Sequence, residues 1–224
     1  ALLLVGCRPA DGESQKPPAS TKGKAAPAQA AQSDSTINAL LEKADAGRIQ
    51  GSRGALVWIV EISDFQCPFC KRWHDEIYPA LQREYISKGL VRMAYLNLPL
   101  AQHVHAEPAA EAALCTAAQD KFWPMHDKLF QTQERWTPMP DARALFDSLA
   151  LSTGVNAVAY RSCMSSRVMR RVIDGDVTRA AASGARSTPT FFVGDAIIRG
   201  VEPLDTFRAA IERARAKAVQ RTPQ

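Results

Sequence analysis

The stretch that decides the reading is Ala55-Leu56-Val57-Trp58-Ile59-Val60-Glu61-Ile62-Ser63-Asp64-Phe65-Gln66-Cys67-Pro68-Phe69-Cys70-Lys71-Arg72-Trp73. The apolar, β-branched run from Leu56 to Ile62 predicts a buried strand. A polar break follows, then the two cysteines, then a helical pattern. Cys67 therefore falls at a helix N-terminus, with Pro68 at the first helical position, where its missing N–H is not needed. Unpaired N–H groups and the positive end of the macrodipole both favour a thiolate there, which makes Cys67 a nucleophile at neutral pH. Cys70 lies one turn along, facing inward, within reach of a mixed disulfide on Cys67. Glu61 stands in the apolar strand, six residues before Cys67. A carboxylate in a buried strand is costly to ionise, so its pKa rises and it can exchange a proton near Cys70. The plainer reading is a strand-end glutamate that reaches solvent.

Working outward, Trp73, Ile77, Leu81 and Tyr85 recur every four residues and define the buried face of an amphipathic helix. Pro79 should kink it and Gly89 caps its end. His74, on the same helix, reads as a surface residue. Val91 to Leu98 is the next predicted strand. From Gln102 to Gly184 the pattern is almost entirely helical: an alanine-rich segment at 109–118, an apolar face around Phe122 to Phe130, a helix opening at Asp141, another capped by Asn156, and a last run from Arg167 to Ser183. The aromatics here read as core. His103, His105 and His126 fit no metal-ligand spacing and read as loop or surface residues. Phe191 to Val193, a Gly194-Asp195 turn, and Ile197-Ile198 predict an antiparallel hairpin. A helix starting at Pro203 carries Leu204, Phe207, Ile211 and Ala214 on one face. Pro189 at the entrance to a strand cannot donate to the ladder; in cis form it would turn the Thr188 backbone outward, free to pair with an extended peptide.

The chain has 224 residues, 46% of them apolar, enough for a sizeable core. Its net charge of +5 comes from scattered Lys and Arg without a basic patch interleaved with aromatics, so no nucleic-acid partner is implied. The five cysteines are an odd number. Cys7 follows Leu4-Val5-Gly6, which resembles the end of a bacterial lipoprotein signal. That resemblance implies cleavage of residues 1–6, lipidation of Cys7 and export to a disulfide-permissive compartment. An ordinary secretory signal with a chance cysteine is the other reading. Residues 7–35 lack large apolar side chains and read as a disordered tether, spanning about 30 Å by the square-root rule. Cys115 and Cys163 lie on different predicted helices. A bridge closing about 47 intervening residues contributes roughly 3–4 kcal/mol; the alternatives are two buried thiols or, least supported, a zinc site.

Taken in order, Glu61, Cys67-Pro68-Phe69-Cys70, the helical block and Thr188-Pro189 before the final hairpin and helix resemble the DsbA-like branch of the thioredoxin superfamily. The resemblance spans about Ile37 to Lys217. It implies an α/β thioredoxin fold, residues 36–100 plus 185–217, interrupted by an all-helical insertion at 101–184, with a tail at 218–224. It implies a cis Thr188–Pro189 peptide packed against the cysteine pair, with Thr188, Pro189, Pro68 and Phe69 contacting substrate and with Cys67, Cys70 and Glu61 catalytic. No cofactor and no metal are implied. The activity implied is thiol–disulfide exchange on exported cysteine-containing proteins, with a membrane redox partner recycling the pair and the chain held by lipid at the periplasmic face of the bacterial envelope. The strongest oxidants of the family carry His where Phe69 stands, so a less oxidising pair is expected. An oxidase is the favoured reading. A reductase or isomerase, or a peptide-binding module without redox chemistry, are the alternatives.

Overall fold

A computed structural model describes residues 27–221. In chain order the elements are α1 (Pro27–Gly47), β1 (Ile49–Gln50), β2 (Val57–Ser63), α2 (Pro68–Glu76), α3 (Tyr78–Leu81) with a π-helical turn at Gln82–Ile86, β3 (Val91–Asn97), α4 (Ala106–Ala117), α5 (Phe122–Gln131), α6 (Gln133–Trp136), α7 (Arg143–Leu151), α8 (Ala157–Ser166), α9 (Arg170–Ala182), β4 (Thr190–Val193), β5 (Ala196–Arg199) and α10 (Leu204–Arg221).

The five strands form one sheet in the order β1-β3-β2-β4-β5. The apolar run read as a buried strand is its centre. β2 pairs in parallel with β3, Glu61 opposite Tyr95, and antiparallel with β4, Glu61 opposite Phe191. β1 adds a short antiparallel edge to β3. Two residues are too few for a periodicity to show, so this strand leaves no signal in the sequence. The predicted hairpin forms as β4 and β5. Its turn needs Gly194: φ is +59°, and a Cβ there would stand 2.8 Å from that of Ala214 on α10.

One sheet face packs on α2, α3 and α10. Trp73, Ile77, Leu81 and Tyr85 are all buried there with Ile59, Phe191, Phe207 and Ile211. Trp73 lies 4.5 Å, centroid to centroid, from Phe191. Pro79 interrupts this segment as expected: α2 ends at Glu76, with Ile77 as its C-cap, and the chain restarts as α3 at Tyr78. Ile62, on the opposite face, packs with Ala180 of α9 and Ala185. The helical block holds a second core of Phe122, Phe130, Trp136, Phe146 and Tyr160, which extends to Phe65, Cys67 and Cys70.

Two boundaries differ from the sequence reading. α1 begins at Pro27, inside the expected tether. Alanine and glutamine between 28 and 32 favour helix without needing an apolar face, so low hydrophobicity did not exclude order. Leu40, Leu41 and Ala44 of α1 pack on the helical-block core. α10 continues to Arg221, past the expected tail start at 218. Cys7 and the rest of the expected tether lie outside the described residues.

Cys115 of α4 and Cys163 of α8 are joined as a disulfide. Asn156 caps α8, its side chain accepting the Ala159 N–H at 2.9 Å. Replacing both cysteines by Ala is expected to cost about 3–4 kcal/mol. In a domain of this size that lowers Tm by about 6–16 °C, measured by thermal unfolding with and without the pair. A loss under 1 kcal/mol would mean that the bridge constrains little.

Candidate active site

The β2–α2 junction positions the site. β2 ends at Ser63, Asp64 to Gln66 turn the chain, and Cys67 is the N-cap of α2, with Pro68 in the first turn. The expectation of a cysteine at a helix N-terminus therefore corresponds to the observed geometry. Cys67 is 3% exposed and Cys70 wholly buried; both are free thiols. Phe69 between them is 59% exposed.

The two sulfurs are electrostatically unequal. Cys67 is pushed down to about 6. The Cys70 thiol, hydrogen-bonded to the Cys67 sulfur, is the largest cause. The Thr188 side chain and the backbone N–H groups of Cys70 and Phe69 add to it, against the opposing effect of burial. Cys70 is raised well above the ordinary range, first by burial and then by Cys67. One cysteine is thus held as a thiolate at neutral pH while its neighbour keeps its proton.

Glu61 does not reach solvent. It is fully buried, and neither carboxylate oxygen has a hydrogen-bond partner among the described residues. Burial pushes it up to about 7, against the nearby Ser63 hydroxyl and the charge of His74. The Ser63 hydroxyl and the Tyr95 phenol are likewise buried without partners. Ser63 and Tyr95 share the Glu61 face of the sheet, by alternation and by register.

The Thr188–Pro189 peptide is cis. The Thr188 carbonyl oxygen lies 3.5 Å from the Cys67 sulfur. Thr188 is only 7% exposed, so the turn packs closely against the cysteine pair.

Several histidines are not where the sequence reading put them. His74 is buried, and its ring lies 5.0 Å from that of Phe130. His126 is wholly buried and His105 nearly so. One oxygen of Asp127 accepts from His126 Nδ1 at 2.9 Å and meets His74 Nε2 at 3.1 Å, while His74 Nδ1 lies 3.0 Å from Asp75. Burial opposes a charge on His74, but Asp127 and Asp75 outweigh it and raise its pKa. His126 is pushed down to about 4 by burial. The side-chain donor atoms of His74, His126 and Asp127 lie within 4.8 Å of one another. A one-turn spacing from Cys70 could not reveal that α5 would cover this face of α2.

The turn before Cys67 is held by residues the sequence reading passed over. Asp64 accepts the Gln66 N–H at 2.7 Å, the Leu100 N–H at 2.9 Å and His103 Nδ1 at 2.7 Å. Gln66 accepts the His105 N–H at 2.6 Å. Gln133 of α6 donates to the carbonyls of Phe65, at 2.7 Å, and Cys67, at 3.0 Å. The helical block thereby clamps the backbone around the nucleophile.

The profile of the family described as Thioredoxin matches residues 43–213, most of the chain. The chain belongs to the thioredoxin family. Within it this thioredoxin-family chain is a DsbA-like thiol:disulfide oxidoreductase. It is 27% identical to disulfide bond formation protein D of Bacillus subtilis, over 74% of this chain and 75% of that one. It resembles the crystal structure of oxidised BdbD from Bacillus subtilis with a TM-score of 0.66 at 26% identity, covering 76% of this chain and 94% of that one. It is also 33% identical to Na(+)/H(+) antiporter NhaA 3 of Salinispora tropica, over 78% of this chain, but spans only 26% of that protein. No described helix of this thioredoxin-family chain is long and apolar enough to cross a membrane.

Proposed function

We propose that this chain introduces disulfides into exported proteins through the Cys67–Cys70 pair. The observation that carries the reading is the asymmetry of the two thiols, one titrating at about 6 and the other well above the ordinary range. With Cys67 lowered to about 6, ionisation at pH 7 stabilises the dithiol form. That makes the disulfide form more oxidising.

In the oxidised enzyme a substrate thiolate attacks the Cys67 sulfur, and the Cys67–Cys70 bond breaks. Cys70 leaves as a thiolate into a buried site and takes a proton from Glu61, which at about 7 is close to half protonated at neutral pH. A second substrate thiolate then attacks the substrate sulfur of the mixed disulfide. Cys67 leaves as a stabilised thiolate, the substrate is oxidised, and the enzyme holds the two electrons. A membrane disulfide donor accepts them to restore the pair. Pro68, the exposed Phe69, Thr188 and Pro189 form the surface on which substrate rests. Lipidated Cys7 tethers this head to the envelope membrane; that part of the proposal rests on the lipoprotein-like residues before Cys7.

The test is the reduction potential across pH. Below the Cys67 pKa the couple takes up two protons with two electrons, and above it one. Because Cys67 is lowered in the folded dithiol, its stabilisation is present above pH 6 and lost as pH falls through it. The potential should therefore change by about 59 mV per pH unit below pH 6 and by about 30 mV above it. At pH 7 it should lie between the roughly −270 mV of thioredoxin and the roughly −120 mV of the strongest oxidants. A value at or below that of thioredoxin would favour a reductase.

A further inference from the structure

His103 stands in the loop between β3 and α4, where its Nδ1 meets Asp64 Oδ2 at 2.7 Å. The same carboxylate accepts two backbone N–H groups, so it acts as the acceptor and the imidazole carries its proton on Nδ1. In that tautomer of the neutral ring, Nε2 is the nitrogen that accepts. Further hydrogen bonds tie the loop to this position. Leu100 is bonded to Asp64, and His105 to Gln66 and to the Met139 carbonyl. His103 lines a groove of about 370 Å³ together with Gln66 and Pro68, the two neighbours of Cys67 in the chain, and with Gln133 and Pro138. The titratable groups at the imidazole and in the groove lining are Asp64, in contact with Nδ1, and Glu134 of α6.

We propose that His103, oriented by Asp64, is the general base that deprotonates the incoming substrate thiol in the groove beside Cys67. This rests on the oxidase reading above. The substrate S–H gives its proton to His103 Nε2. The resulting thiolate forms a bond to the Cys67 sulfur as the Cys67–Cys70 bond breaks, and the electron pair goes to Cys70. The imidazolium then releases its proton to solvent through the open groove. Such help has a use here because an ordinary thiol with pKa near 8.5 is only about 3% ionised at pH 7. Supplying the thiolate is therefore worth at most about 30-fold.

The experiment follows the reduction of the oxidised enzyme by a synthetic peptide carrying two cysteines, using stopped-flow tryptophan fluorescence, for the wild type, His103→Gln and His103→Ala. At pH 7 both variants should react about tenfold more slowly, within that ceiling. At pH 10, where the peptide is already ionised, the gap should close to under twofold. The reduction potential should stay unchanged, and added imidazole should restore His103→Ala. Equal rates at pH 7, or the same deficit at pH 7 and pH 10, would overturn the assignment, as would a shifted potential. In each of these cases the oxidase reading still stands. A wild-type enzyme inert towards the peptide would overturn both.

Discussion

Cys67→Ser is expected to reduce thiol–disulfide exchange to the uncatalysed background, whereas Cys70→Ser should lose oxidation of dithiols but still capture a disulfide-bonded peptide on Cys67 and stop there. Serine at 67 can neither form the enzyme disulfide nor receive a substrate sulfur, and the buried Cys70 is inaccessible as a substitute. With Cys70→Ser the Cys67 thiolate remains and can attack a disulfide-bonded peptide: a bond forms from Cys67 to one peptide sulfur while the other leaves as a thiolate, and this covalent complex should accumulate, because nothing one turn away displaces it. The same variant removes the largest cause of the lowered Cys67 pKa, so Cys67 should titrate well above 6. Turnover of a dithiol peptide, trapping of the mixed disulfide on non-reducing gels and ultraviolet thiolate absorbance measure the three effects. Undiminished activity of Cys67→Ser would instead identify a peptide-binding module.

The largest loss of stability is expected far from the cysteines, at Asp176 of α9. Its side chain is wholly buried and forms an ion pair with Arg48, itself buried at the start of the sheet edge. Arg48 also donates to the Tyr95 carbonyl at 3.0 Å and pairs with Asp45. Asp176 accepts the Asn97 backbone N–H at 3.0 Å and its amide at 2.9 Å, and Arg179 at 2.6 Å. The cluster ties α9 to the end of β3 and to α1. Asp176→Ala leaves the buried Arg48 guanidinium with only the half-exposed Asp45 as counter-charge and leaves two Asn97 donors unmet. Breaking such a pair costs about 3–5 kcal/mol, a fall in Tm of about 6–20 °C for this size. The exposed Asp174→Ala, two residues away, should change stability by no more than about 0.5 kcal/mol. Comparable denaturation midpoints for the two variants would remove Asp176 from this role.

The central strand, the helix opening at Cys67, the hairpin and the last helix were legible because each rests on local signals: an apolar run, a proline at the first turn, a Gly-Asp turn, a four-residue repeat. Glu61 was legible as an anomaly, a carboxylate inside an apolar strand. The clamp around the nucleophile was not legible. Asp64, Gln66, His103 and Gln133 are ordinary polar residues in sequence and acquire meaning only when loops from separate segments close on one another. His74 and His126 were misread as surface residues for the same reason, since their burial depends on α5 covering α2. Arg48 and Asp176 lie far apart in the chain and carry no pattern that links them.

By itself the sequence determined the chemistry available: a cysteine that caps a helix, a second one turn on, and an acid in the strand beneath. These follow from short-range spacing, which sets backbone direction and side-chain face. Only the tertiary structure decided how acidic each sulfur is and which polar groups surround it. Burial and partner distance set those quantities, and both depend on contacts between residues that no local pattern connects.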